Sequence, residues 1–137
     1  MATYPLSEAY ADGQVLTAAN VNSITEGVND IAFGVFNAQT GTTYTLALTD
    51  VAKVVTMTNA ASSTLSVPTN ASVAFPIGTQ ILIYQGGAGQ VTISAVTPGT
   101  TTIRAQGSKN KIAGQYGIAG LLKLNTDEWV VFGNVSS

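Results

Sequence analysis

The chain has 137 residues, enough for one domain and a short appendage but not for two full cores. Only 9% of the residues are charged, against about 25% in a typical domain, while 45% are hydrophobic and the net charge is −2. That hydrophobic content excludes a disordered chain, the absence of a dense basic patch argues against nucleic-acid binding, and the absence of cysteine excludes disulfides and thiolate metal sites.

Thr, Ser, Asn, Gln, Gly and Ala must therefore cover most of the surface. Two readings fit so low a charge: a strand-rich composition that favours Thr and Val, or a surface that largely faces other subunits. The charges are also unevenly spread. Residues 1–40 hold Glu8, Asp12, Glu26 and Asp30 and no Lys or Arg, whereas all five basic residues lie beyond them. The opening MATYPLSEAYADG has neither a basic nor an apolar signal region, and no apolar run reaches the roughly 18 residues that span a bilayer. The expectation is synthesis and folding in the cytosol without membrane insertion, which leaves the glycosylation-type triplets at Asn70 and Asn134 as chance.

In chain order, residues 1–16 read as irregular, with breakers at Pro5 and Asp12–Gly13. Thr17 is a plausible N-cap for a short helix on which Val21, Ile24, Val28 and Ile31 form one apolar stripe. Gly27 inside it costs about 1 kcal/mol relative to Ala, so the helix needs a packing partner. Those four residues fit heptad a and d positions, and β-branched residues at both favour trimers and higher states. Two heptads are also compatible with a helix that simply packs on the β-domain.

From residue 42 the period becomes two. Expected strands are Tyr44 to Leu48, KVVTMT (53–58), STLSV (63–67), SVAF (72–75), QILIYQ (80–85), QVTIS (90–94), TTIRA (101–105), GIAGLLKL (117–124) and EWVVFG (128–133). The glycines of GGAG (86–89) read as a hairpin turn, and Asn125–Thr126–Asp127 as another. With no helix between the strands, a parallel sheet is not expected. The predicted fold is mainly β: an antiparallel β-sandwich or barrel of about eight strands with a short N-terminal helix. The expected division is an anchor segment at 1–36 and a β-sandwich domain at 37–137.

The chemistry is sparse. No histidine is present, so the usual general base, triad partner and metal ligand are all missing. Ser108 beside Lys109 lies in a polar turn, with the two side chains on opposite sides. Asp50, Asp127 and Glu128 sit where turns favour acids, and GGAG lacks the Lys and Ser/Thr of a phosphate loop. Trp129 and Phe132 have opposite parity, so one belongs to the core and the other to the surface. No catalytic, cofactor or metal site is expected.

The stretch AQTGTTYTLALTDVAKVVTMTNAASSTLSVP, then SVAFPIGTQILIYQGGAGQVTI, and the ending LLKLNTDEWVVFGNV resemble a β-domain recurrent in virion proteins of tailed bacteriophages, including tail-fibre, appendage and head-decoration proteins. The resemblance covers roughly residues 37–135; DGQVLTAANVNSI also looks like N-terminal attachment segments of phage fibres. It implies a trimerising or exposed module without catalytic residues, located in the virion. The expected partners are its own copies, as a homotrimer, and a major capsid protein or a tail or baseplate protein. A host surface glycan is a further alternative. The chain departs from a full tail fibre in having no shaft repeats and no separate receptor-binding tip.

Overall fold

Strand parity decides which side chains of this protein face inward. The computed structural model describes residues 35–137, which belong to a compact unit running from Gly34 to Ser137. The strands are β1 (Phe36–Gln39), β2 (Thr43–Thr45), β3 (Val54–Met57), β4 (Ser63–Val67), β5 (Gln80–Gln85) and β6 (Val91–Ala95). They continue with β7 (Thr102–Ala105), β8 (Lys111–Ile112), β9 (Ile118–Asn125), β10 (Glu128–Gly133) and β11 (Val135–Ser136). They form a six-stranded sheet in the order β1-β3-β5-β9-β10-β7 and a five-stranded sheet in the order β11-β8-β6-β4-β2.

Through β6 the chain alternates between the sheets, one strand in each, and so winds in three stacked coils: β1–β2, β3–β4 and β5–β6. Each coil returns in the same direction as the last, so β1, β3 and β5 pair in parallel, as do β2, β4 and β6. After the coils the β9–β10 hairpin closes the six-stranded sheet in antiparallel fashion, and β7 pairs in parallel with β10 at its edge. β8 and β11 add antiparallel strands to the other sheet.

The protein is thus mainly β, but its sheets are mixed, which corrects the expected antiparallel arrangement. A parallel pair needs a crossover, commonly a helix; here a strand of the opposite sheet makes it. The stretch 86–89 is likewise not a hairpin turn, because β5 and β6 lie in different sheets. It is the corner of the third coil, stacked on the corner of the second. Gly86 and Gly87 N–H donate to the Met57 carbonyl at 2.9 and 3.2 Å, Gly89 N–H to Asn59 at 3.1 Å, and Ser63 N–H to Gln90 at 2.9 Å. A Cβ at Gly87 would overlap the Asn59 carbonyl, and one at Gly89 the Ala61 carbonyl. Glycine is required there for close backbone approach.

Two further expectations fail locally. Leu48 does not extend β2; it opens a 3-10 turn, Leu48–Asp50, and is exposed. Residues 72–75 form no strand, although Phe75 is buried. The expected N-terminal helix lies outside the described residues.

The inward residues of both sheets meet in one apolar cluster. Val55, Met57, Ile81, Ile83, Leu121, Trp129 and Val131 come from one sheet, and Leu65, Val67, Val91, Ile93 and Ile112 from the other. Trp129 packs edge-on against Phe75, with centroids 5.4 Å apart and planes at 85°, an arrangement that aromatic quadrupoles favour.

Candidate interaction surface

The outward side chains differ sharply between the two sheets. On the six-stranded sheet the register aligns Phe36, Val54, Leu82, Gly120 and Phe132 in one row across five strands. Beside it run Ala38, Thr56, Tyr84 and Ile118 on one side and Gln80, Leu122, Val130 and Arg104 on the other. Phe36 is 70% exposed and Phe132 45%, and Leu82, Ile118 and Leu124 are also exposed. The Phe132 ring covers Gly120, where any Cβ would strike it. Arg104 and Glu128, at the β7–β10 end, pair with each other at 2.9 Å. Six strands about 4.8 Å apart span roughly 24 Å, so this face is broad, and its exposed large side chains are mostly apolar.

The five-stranded sheet presents mostly hydroxyls, with one lysine among them. Thr43, Thr64, Thr92, Lys111 and Ser136 form one row, and Thr45, Ser66 and Ser94 the next. A Thr-apolar-Ser/Thr triplet recurs in β2, β4 and β6, its central residue (Tyr44, Leu65, Ile93) facing inward. Neither face was among the features expected from the sequence. The recurrence of TLS and TIS 28 positions apart, the same offset as Val54 to Leu82, was the signal available for the coils.

Two polar clusters are built around the buried side chains Asp50 and Lys123. At the first coil, Asp50 is 1% exposed and accepts hydrogen bonds from Tyr44 Oη at 2.6 Å, Asn37 Nδ2 at 2.7 Å and Ala47 N–H at 2.8 Å. Gln39 Nε2 donates to Asn37 Oδ1 at 2.7 Å. Burial, reinforced by the bond to Asp50, pushes the Tyr44 hydroxyl up to about 12. Asp50 is therefore more than a turn residue; it organises this end of the winding.

At the other cluster Lys123, only 2% exposed, donates through Nζ to Asn70 Oδ1 at 2.6 Å and to the Phe75 carbonyl at 2.7 Å. Its amine lies 5.9 Å from the Trp129 ring centroid. Asp127 Oδ1 accepts from Asn70 N–H at 2.8 Å and Thr101 Oγ1 at 3.2 Å, which ties three segments together.

Of the residues singled out in the sequence, Trp129 is core and Phe132 surface. Ser108 has a positive φ of 57° in a 3-10 turn and, with Lys109, is exposed. A groove of about 490 Å³ near Pro98 and Ile103 is lined by apolar, hydroxyl and amide groups, with no acid or base among its lining residues. Among the described residues no three acidic side chains converge as a metal site would need, and no helix is long and apolar enough to cross a membrane. The stripe residues Val21, Ile24, Val28 and Ile31 lie outside the described residues. No known family model matches the chain, and no curated protein matches it.

Proposed function

We propose that this chain is a non-enzymatic virion structural protein of a tailed bacteriophage, most simply a capsid decoration, cement or head-fibre protein that docks on the capsid as a homotrimer. The observation that carries this reading is the contrast between the two outer faces: a nearly uncharged apolar face on one sheet and hydroxyl rows on the other. A module with one face for assembly and one for water suits a role in which contact area, not chemistry, does the work. The resemblance of residues 37–135 to phage virion β-domains supports the setting. The acidic segment 1–36 supplies the anchor in this reading, and the stripe Val21, Ile24, Val28 and Ile31 supports the trimer.

The test is to locate the protein on intact particles and count its copies. Hundreds per particle fit a shell protein; a dozen or fewer fit the alternative, a short tail fibre or baseplate appendage. Absence from particles refutes both. Replacing Leu82 and Phe132 together with Asp is expected to leave the fold intact by circular dichroism and abolish incorporation. The Thr and Ser rows favour one further reading, a host-glycan binding module, which a glycan array distinguishes.

A further inference from the structure

Lys123 occupies an inward position of β9 where Leu or Met would fill the same space without burying a charge. Its two acceptors, Asn70 Oδ1 and the Phe75 carbonyl, are both neutral. Holding an ammonium there is costly. Burial accordingly lowers the Lys123 pKa from its ordinary value, an effect that the charge of Asp127 partly opposes. The free amine that this favours is a nucleophile.

An electrophile lies against it. The Nζ is 2.6 Å from Asn70 Oδ1, and the carboxamide carbon is one C=O bond, about 1.2 Å, from that oxygen. Nζ to Cγ is therefore at most about 3.8 Å, close to the 3–3.5 Å of a reactive approach. A rotation of the Asn70 amide about χ2 turns the face of that carbon to the amine. Both partners are held from outside the pair: Asn70 by its N–H bond to Asp127, Lys123 by its strand and by the Phe75 carbonyl. Phe75 and Trp129, both buried, exclude water from one side.

We infer that Lys123 and Asn70 form an intramolecular isopeptide crosslink that the protein makes on itself. The neutral Nζ attacks Asn70 Cγ, the Nζ–Cγ bond forms, the Cγ–Nδ2 bond breaks, and an amine proton passes to Nδ2, which leaves as ammonia. Counted from the ammonium form of Lys123, the extra proton leaves with it as ammonium. No oxidant, metal or cofactor enters the balance. Asp127 is a positioning residue that fixes the Asn70 backbone. The product closes a covalent loop between positions 53 residues apart in a chain without cysteine, and such a closure stabilises chiefly by constraining the unfolded chain.

The experiment is intact-mass measurement of the full-length protein after denaturation, followed by proteolysis and tandem mass spectrometry. The expected result is a mass one ammonia below that of the sequence and a branched peptide joining Lys123 to Asn70. Lys123→Arg and Asn70→Ala are each expected at full mass. A wild-type mass equal to the sequence overturns the inference. So does a deficit that persists in Lys123→Arg, because cyclisation of Asn70 onto its own backbone also releases ammonia but needs no lysine. The wild-type branched peptide decides the matter even where a variant fails to fold.

Discussion

Gly89→Ala tests the stacked coils, because its sign differs between a winding and a hairpin. Gly89 does not have the positive φ found at Gly78 and Gly99, so alanine there escapes the penalty of a left-handed φ. On an open turn it would stabilise by about 0.4–1 kcal/mol through the unfolded chain. At a stacked corner the new methyl overlaps the Ala61 carbonyl and comes within 2.9 Å of the Asn59 oxygen. Both obstacles are backbone, so no rotamer change relieves them and the two corners must separate. Overpacking of this kind costs about 1–3 kcal/mol. Weakening the corner bonds from Gly89 to Asn59 and from Ser63 to Gln90 adds about 0.5–1.5 kcal/mol for each bond lost. The net expectation is a loss of about 3 kcal/mol, or a fall in Tm of roughly 10–20 °C for a domain of this size. Thermal melts followed by circular dichroism measure it. Gly78→Ala is the control: at φ +90° with open space around the added Cβ, it should cost only about 1–2 kcal/mol. A Gly89→Ala protein that melts at or above the wild type refutes the stacked corner and, with it, the parallel pairing of β4 with β6.

Trp129→Ala, which removes a side chain 1% exposed and its contact with Phe75, is expected to cost about 3–5 kcal/mol, measured by urea denaturation. Arg104→Ala breaks an ion pair whose arginine is 64% exposed and should change stability by less than about 1 kcal/mol. Tyr44, raised to about 12 in the fold, contributes stability that is fully present below the ordinary tyrosine value near 10 and is lost as pH rises through 12. Ultraviolet titration should show a late phenolate component that Tyr44→Phe removes, and equal high-pH titration of the two proteins would count against the buried bond to Asp50.

Strand parity was legible in the sequence because it depends only on neighbouring residues. Val55 and Met57, Ile81 and Ile83, and Trp129 and Val131 all face inward as their alternation requires. Partner choice was not legible, since GGAG flanked by two strands describes a tight turn and a stacked corner equally well. What separates them is the backbone of Asn59 and Ala61, some 28 residues earlier in the winding, which no local pattern contains. Leu48 misled for a related reason. Its period-two spacing continues Tyr44 and Leu46, but Asp50 accepts the Ala47 N–H and bends the chain into a 3-10 turn instead. The pair of buried Lys123 and Asn70 joins residues far apart in the chain and had no sequence signature at all.

The two outer faces do have one, read strand by strand. In the five-stranded sheet apolar residues alternate with hydroxyls, as in TYT, STLSV and VTIS, the pattern of a sheet with one face in water. In the six-stranded sheet ILIY, IAGLL and WVVF are apolar at both parities. A strand apolar on both sides is the pattern of a sheet covered on both sides, yet within residues 35–137 one of those sides carries exposed Phe36, Leu82, Ile118 and Phe132. Solubility alone would favour charge at those positions, and the one charged residue in those outward rows, Arg104, is paired with Glu128 of the neighbouring strand. β5, β9 and β10 are therefore apolar on the core side and on an outward side that stays exposed within residues 35–137, which is why the test of the proposed docking role is best aimed at Leu82 and Phe132.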